Sequence, residues 1–134
     1  MCVAIHHRMF ELLTTHPPRV HVLERHRVTL GIVGAIGAHL VEIGVFAVAM
    51  SLLHRLPAGW HVGDLQGAEA REMTDSLYCS AMSYTTLGLE GVSPVGAIRL
   101  LVGIEALPGL VLVAWSVSFT YVQMENYWST HQRK

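Results

Sequence analysis

The sequence has few charged residues, and this scarcity excludes several classes of protein. Only 14% of the 134 residues are charged, against about 25% in a typical soluble domain. The net charge of −1 provides no basic surface that could neutralise phosphates, so no nucleic-acid partner is expected. The two cysteines, Cys2 and Cys79, lack the spacing of a metal site. We expect both to be thiols outside any disulfide.

Several functional motifs are also missing. No HExxH-type metal pair and no nucleophile–base spacing occurs, so we predict that the protein is not an enzyme and needs no cofactor. The periodic arginines of a voltage sensor are absent. The N-terminal residues are rich in histidine and arginine and contain no uninterrupted apolar stretch. We therefore expect no cleaved signal peptide.

Two long segments are almost free of ionisable groups. Residues 28–53 contain only His39 and Glu42, and residues 100–122 contain only Glu105. As helices, both are long enough to cross a hydrocarbon core of about 30 Å. The alternative, two buried helices of a soluble bundle, would need packing partners that a chain of this length cannot supply. The sequence therefore predicts an all-α membrane protein with two transmembrane helices, at 28–53 and 97–123.

The charges that flank these segments predict the orientation. All basic residues outside the segment between the two spans lie near the termini: Arg8, Arg19, Arg25, Arg27, Arg133 and Lys134. Because basic residues are enriched on the cytoplasmic side, we expect a multi-pass protein of the inner (plasma) membrane with both termini in the cytoplasm. Residues 1–27 would form a cytoplasmic N-terminal segment and residues 125–134 a cytoplasmic tail.

The N-terminal segment carries an amphipathic pattern. Four apolar residues fall on one helical stripe before Pro17 and Pro18: Ile5, Met9, Leu12 and Leu13. This pattern is typical of a helix lying in the membrane interface, although a frayed terminus is equally compatible with it. His6 and His7 are expected to lie on an ordinary polar face.

The segment between the two spans changes character along its length. Its first part contains Pro57 and several glycines and is predicted to be loop. Residues 74–84 follow with a helical pattern, capped by Thr74 or Asp75, whose apolar positions are Leu77, Tyr78, Ala81 and Met82. A helix of this length is too short to span. We therefore predict a re-entrant helix, whose irregular continuation must be buried in protein or line a watery cavity.

The motif "TTLGLEGVSP" follows this short helix, and Arg99 then begins the second span. This arrangement resembles the two-transmembrane pore module of potassium-channel-like tetrameric cation channels of bacteria, over residues 28–124. The resemblance implies a homotetramer in which 28–53 is the outer helix, 74–84 the pore helix, 85–94 the filter loop and 97–123 the inner helix. It also implies a gating hinge at Gly109, where the preceding Pro108 is expected to kink the helix.

The filter departs from the family pattern in its outer half. The resemblance includes Thr85 in the filter and assigns its inner half to Thr86, Leu87 and Gly88, where main-chain carbonyls would replace the water shell of the ion. In the outer half, Leu89 replaces an aromatic residue, Glu90 a glycine and Gly91 an aspartate. A residue other than glycine that is forced to positive φ costs about 1–2 kcal/mol. Potassium geometry is therefore not expected at the outer ion sites.

Four Glu90 carboxylates would instead gather at the mouth of a tetrameric pore. Rings of acidic side chains select cations by charge, and hard cations bind carboxylate oxygens. We predict a passive channel in the lipid bilayer for inorganic cations (K⁺, Na⁺ or Ca²⁺) that is not strictly potassium-selective, with a metal site at Glu90. The alternatives are a potassium-selective channel and a non-conducting membrane scaffold or sensor that retains the pore fold.

Three ionisable residues lie inside the predicted spans: His39, Glu42 and Glu105. Each would be unfavourable by about 2.5–3.5 kcal/mol if it faced lipid, so we expect a buried polar cluster behind the filter, completed by Ser80, Ser83 or Thr85. Two roles remain open for this cluster. It could brace the filter, or it could be a proton or metal site coupled to gating, since histidine titrates near neutral pH and binds metals. An intramembrane metalloenzyme that uses these three residues is a remote third alternative.

Overall fold

The computed structural model describes residues 1–15, 27–56, 63–67 and 72–131. Within these ranges the chain forms four helices and two short strands. In chain order they are α1 (Cys2–Thr15), α2 (Arg27–His54), β1 (Gly63–Gln66), α3 (Glu72–Tyr84), β2 (Ser93–Gly96) and α4 (Ile98–His131). The predicted stop of the first helix at Pro17 and Pro18 lies outside the described residues, as does Pro57.

Helices α2 and α4 are the two candidate membrane spans. Val28–His54 and Ile98–Asn126 are each long and apolar enough to cross a bilayer. Many of their large apolar side chains are exposed, among them Leu40 at 64% and Leu107 at 67%. Such helices require lipid or further subunits around them. The helical architecture and the two apolar helices agree with the predicted all-α class.

Helix α4 is longer than the sequence predicts. The expected span is 97–123 and the expected tail is 125–134, whereas the helix runs without interruption to His131. No proline or glycine follows Gly109, so no residue of the kind that ends helices is present in this part of the chain. Pro108 lies inside α4, where its nitrogen cannot donate a hydrogen bond to the carbonyl of Ile104.

The chain divides into two compact units. The terminal unit comprises Met1–Leu40 and Val111–Lys134, and the central unit comprises Val41–Leu110. Each spanning helix contributes to both units. The boundary in α4 follows Gly109 by one residue, which places the predicted hinge at the edge of the central unit.

Two strands in the central unit were not predicted. Strands β1 and β2 pair antiparallel, with Gly63 opposite Gly96 and Gln66 opposite Ser93. Each strand has only four residues, and its partner is distant in the sequence, so no local alternation of apolar residues indicates it. This ribbon flanks a small core formed by Met50, Cys79 and Ile98.

Helix α3 begins at Glu72, so Thr74 and Asp75 lie within its first turn and not at its cap. Its buried face also differs from the expected apolar one. Leu77 and Tyr78 are 44% and 37% exposed, whereas the buried positions are Ser76, Cys79, Ser80, Ser83 and Tyr84. Hydroxyl groups can occupy the inner face because polar groups of the neighbouring segments accept their hydrogen bonds.

The terminal unit holds α1 through a face that the sequence analysis did not predict. The buried residues are Cys2, His6 and Phe10, at helical spacing, whereas Leu12 is 59% exposed. The ring of Phe10 stacks on Phe119 with centroids 4.0 Å apart. Aromatic side chains bury large apolar surfaces, and Phe10 lies on the packed face of α1.

Candidate functional site: the filter segment and its supports

The predicted filter follows directly from the end of α3. The amide of Thr85 donates to the carbonyl of Ala81 at 3.1 Å, and the amide of Thr86 donates to that of Ser83 at 3.0 Å. The amide of Leu87 then reaches back to the carbonyl of Met82, also at 3.1 Å. These bonds span four, three and five residues in turn, so the helix ends irregularly over the two threonines. Residues 87–92 that follow are not helical.

The backbone of this segment enters the left-handed region at three positions. These are Thr86 (φ 58°), Gly88 (φ 93°) and Gly91 (φ 77°). Glu90 is not among the described residues with positive φ, so the expected strain at Glu90 does not occur. The neighbouring Gly91 adopts the left-handed conformation instead, and a glycine does so without a steric penalty. Thr86 is the described residue that carries this strain.

Most of the filter side chains are exposed in the single chain. Leu87 is 75% exposed, and Leu89 is half-buried. The remaining predicted filter residues are all exposed: Thr85, Thr86, Gly88, Glu90 and Gly91. The Glu90 side chain is therefore accessible near the C-terminal end of the segment.

Two contacts anchor the outer end of the filter segment. The hydroxyl of Tyr78 donates a hydrogen bond to the main-chain carbonyl of Glu90 at 3.0 Å. Gly67, directly after β1, lies so close that a Cβ there would be 2.1 Å from the carbonyl oxygen of Gly91. Sequence reasoning placed Tyr78 on an apolar face. A tyrosine among aliphatic residues is a signal for a hydroxyl that needs a partner.

The two carboxylates inside the spans both hold α3. Glu42 and Glu105 are fully buried. The Tyr84 hydroxyl donates to the Glu42 carboxylate, and the Ser80 hydroxyl donates to the Glu105 carboxylate. Sequence reasoning named Ser80 as a partner but missed Tyr84.

Two further serine contacts join α3 to the spans. The Ser80 hydroxyl oxygen also lies 2.8 Å from the carbonyl oxygen of Ile43, so its single proton is shared between this carbonyl and the Glu105 carboxylate. Ser83 donates to the carbonyl of Val102 at 2.7 Å. The hydroxyl of Thr85, the first residue after α3, instead donates to the carbonyl of Ala81 at 2.7 Å. Helix α3 is thus tied to α2 and α4 by hydroxyl groups spaced along one face.

Gly109 allows the closest approach between α3 and α4. A Cβ at this position would lie 2.2 Å from the carbonyl oxygen of Tyr84. The main chain of α4 therefore lies against the last residue of the pore helix. This packing is a reason for glycine at position 109 that is separate from the predicted hinge.

His39 belongs to the terminal unit, where it takes part in a second polar arrangement. Its Nε2 lies 3.0 Å from the hydroxyl oxygen of Ser116, and Nε2 of His6 lies 2.9 Å from the same atom. The Ser116 hydroxyl donates to the carbonyl of Leu112 at 3.0 Å. Because the hydroxyl has a single proton, at least one of the two imidazoles must donate to the Ser116 oxygen through an Nε2–H.

His6 is therefore not on a polar surface, as the sequence suggested, but fully buried. Its ring contacts Phe10 and Trp115, with centroids 4.6 Å and 5.7 Å away. Burial lowers the pKa of His6 below its ordinary value of 6.5. The packed helix α1 thus favours the neutral imidazole.

We expect the packing of α1 to weaken as the pH falls below about 6.5. The released helix binds a proton on His6 more readily than the packed helix does, so the stabilisation is complete above this pH and is lost below it. Cys2, which lies one turn before His6 and is 7% exposed, should then react faster with a thiol reagent. A cysteine introduced at the exposed Ser129 corrects for the pH dependence of the reagent.

In the His6→Gln variant, the ratio of the Cys2 labelling rate to that of the Ser129→Cys reference should not depend on pH. The glutamine amide can donate to Ser116 but does not titrate. His7→Gln, at an exposed position, should behave as the wild type. A constant relative rate in the wild type between about pH 8 and 5 would contradict the assignment to His6.

Comparison with known proteins provides one match. A family model described as an ion channel covers residues 38–126. No curated protein and no solved structure matches the chain. The match includes most of α2, all of α3 and the filter segment, and α4 as far as its last turn. This family consists of channels and not of enzymes, in agreement with the absence of catalytic motifs. The chain belongs to this ion channel family and is a membrane protein with a two-transmembrane, potassium-channel-like fold.

Proposed function

We propose that the protein is a passive cation channel that is not strictly selective for potassium. The observation that carries the proposal is the exposed carboxylate of Glu90 at the outer end of the filter segment. This segment follows a helix that is hydrogen-bonded to both spanning helices. Cations would pass along residues 85–91, and Glu90 would bind them at the mouth.

The proposed assembly is a homotetramer in the lipid bilayer. A chain with two spans cannot enclose a pore alone, so several copies must contribute their filter segments. Helix α4 has an uncovered apolar stripe that suits such an assembly: Leu100, Ile104 and Leu107 are 70%, 60% and 67% exposed. Each subunit would supply α2 as the outer helix, α3 with its filter and α4 as the inner helix.

The chemistry of the outer filter favours selection by charge. Carboxylate oxygens bind hard cations, including Na⁺ and Ca²⁺, without the carbonyl cage that discriminates potassium. Four such groups close together would concentrate cations and repel anions. The inner half keeps "TTLG" with positive φ at Thr86 and Gly88, and this feature supports the alternative of a potassium-selective channel.

We assign the buried carboxylates to a bracing role. Glu42 and Glu105 accept hydrogen bonds from Tyr84 and Ser80, and these bonds fix α3 at two levels. A helix held in this way can present the filter in one geometry. The competing role is a proton or metal site coupled to gating. It requires that conduction responds to pH or metal and that His39→Gln abolishes this response.

The proposed location is the inner (plasma) membrane, with both termini in the cytoplasm. The basic residues near the termini support this orientation. The segment between the spans and the first turn of α4 together contain five acidic residues and three arginines, and they would face outwards: Arg55, Asp64, Glu69, Arg71, Glu72, Asp75, Glu90 and Arg99.

Reversal potentials of the purified protein in lipid bilayers test the proposed selectivity. The wild type should conduct K⁺, Na⁺ and Ca²⁺ with similar permeabilities. In the Glu90→Gln variant the permeability of Ca²⁺ relative to K⁺ and Na⁺ should fall about tenfold, because each subunit loses one carboxylate from the ion path. Glu125→Gln is the matched control, since it makes the same charge change at an exposed position in α4.

Three outcomes would contradict the proposal. A strong potassium preference in the wild type would favour the potassium-channel alternative. Equal selectivity in wild type and Glu90→Gln would remove Glu90 from the ion path. An absence of ion flux from correctly assembled protein in liposomes would favour the non-conducting scaffold or sensor.

A further inference from the structure

We infer that Tyr78 directs the Glu90 carbonyl away from the ion path, so that the outermost cation site consists of side-chain carboxylates and not of main-chain carbonyls. The inference rests on the proposed conduction through residues 85–91. It assigns a positioning role in ion selectivity to a residue of the pore helix that lies outside the filter segment.

The geometry begins with one hydrogen bond. Tyr78 lies on α3, and its hydroxyl donates to the Glu90 carbonyl at 3.0 Å. In a carbonyl filter, the oxygens at each level must point at the central axis to replace the water shell of the ion. A carbonyl that points at the pore helix of its own subunit cannot also point at that axis. The level of Glu90 therefore lacks its main-chain ligand.

The next carbonyl along the chain is also directed at protein. The oxygen of Gly91 lies against Gly67, where a Cβ would approach it to 2.1 Å. Gly91 reaches this arrangement with φ of 77°, and Gly67 has φ of 84°, so glycine is required on both sides of the contact. Two successive carbonyls at the outer end are thus held towards the protein by separate contacts.

The remaining oxygen donor at this level is the Glu90 side chain. Glu90 is exposed, while its main-chain carbonyl accepts the hydrogen bond from Tyr78. A carboxylate carries a full negative charge and binds small or divalent cations better than a neutral carbonyl does. The Tyr78 hydrogen bond would therefore set the selectivity by removing the ligand type that suits potassium and leaving the one that suits Na⁺ and Ca²⁺.

Tyr78→Phe is the direct test, because it removes only the hydroxyl and keeps the ring. The freed Glu90 carbonyl can then turn towards the ion, so the permeability of K⁺ relative to Ca²⁺ should rise about two- to tenfold, the range that one ordinary hydrogen bond provides. Tyr121→Phe is the control, since Tyr121 is an exposed tyrosine in α4, 65% exposed. It should leave the ratio unchanged.

The outcomes separate this inference from the proposed function. If Glu90→Gln changes the ratio but Tyr78→Phe does not, the inference is wrong and the acidic site remains. If Tyr78→Phe lowers thermal stability or conductance but leaves the ratio unchanged, Tyr78 is only a structural support and the inference is also wrong. If neither variant changes the ratio, or the wild type carries no current, both proposals fail. Because Tyr78 bonds the main chain of residue 90, Tyr78→Phe should also raise the ratio when Glu90 is already glutamine; an effect that vanishes there would contradict the release of a main-chain carbonyl.

Discussion

Gly109→Ala is expected to destabilise the protein by about 1–3 kcal/mol per subunit and to abolish most ion flux. The added Cβ would lie 2.2 Å from the carbonyl oxygen of Tyr84 and 2.9 Å from its carbonyl carbon. Both partners are main-chain atoms at a helix contact, so neither can move aside as a flexible side chain would. The displaced residue is the last of α3 and directly precedes the filter.

Thermal unfolding in detergent and ion flux in liposomes measure this effect. Gly103→Ala is the matched control, because Gly103 lies in the same helix and a Cβ there meets nothing within 4 Å. We expect this control to be neutral or slightly stabilising, since alanine favours helix. Equal stability of the two variants would contradict the predicted clash.

The same experiment separates packing from hinge motion at Gly109. A position that served only as a hinge, next to Pro108, would change the open probability when replaced by alanine without lowering the unfolding temperature. If Gly109 serves as a close contact, Gly109→Ala should lower the unfolding temperature whether the channel is open or closed. Unchanged open probability in a stable Gly109→Ala protein would count against the hinge.

Glu105→Ala is expected to have the second large effect, a loss of about 2–5 kcal/mol in the free energy of unfolding. Glu105 is fully buried, so its removal leaves a cavity and takes one acceptor from the Ser80 hydroxyl. Glu105→Gln should stay within about 1 kcal/mol of the wild type. The glutamine amide keeps the side-chain volume and an acceptor for Ser80. It also replaces a buried carboxylate whose Oε2 atom has no hydrogen-bond partner among the described residues.

Unfolding temperature and the fraction of assembled oligomer measure the two Glu105 variants. Glu125→Ala serves as the control, because its side chain is exposed in the same helix, and it should be neutral. If Glu105→Gln were as damaging as Glu105→Ala, the negative charge itself would be required. The bracing role would then give way to an ionic one.

The two spanning helices could be predicted because they depend on local composition. An apolar run such as residues 28–53 partitions into a bilayer whatever lies beside it, since the transfer free energy belongs to the segment itself. The motif "TTLG" with its preceding short helix is equally local. The family match confirms the class of protein that these features indicate.

The polar supports could not be predicted in the same way. That the carboxylates inside the spans must face protein follows from the unfavourable energy of a charge in lipid, but their partners do not follow from it. Glu42 is bonded to Tyr84 and Glu105 to Ser80, through pairs distant in the chain. Sequence spacing within one helix indicated only which residues share a face.

Errors in the predicted faces have the same origin. The sequence placed His6 on a polar face, whereas the tertiary structure buries it, and its imidazole shares the Ser116 hydroxyl with that of His39. The ribbon of β1 and β2 was not predicted because the two strands that pair are separated in the sequence by α3. Such choices depend on which groups meet in space.

By itself, therefore, the sequence determined a membrane protein with two spans, a short helix between them and an acidic residue in a filter motif. These features follow from hydrophobic transfer and from local backbone preferences. Only the tertiary structure decided that Gly91 and not Glu90 takes the positive φ, and that Tyr78 holds the Glu90 carbonyl. The physical reason is that a hydrogen bond needs its two partners within about 3 Å, and only the folded chain brings them so close.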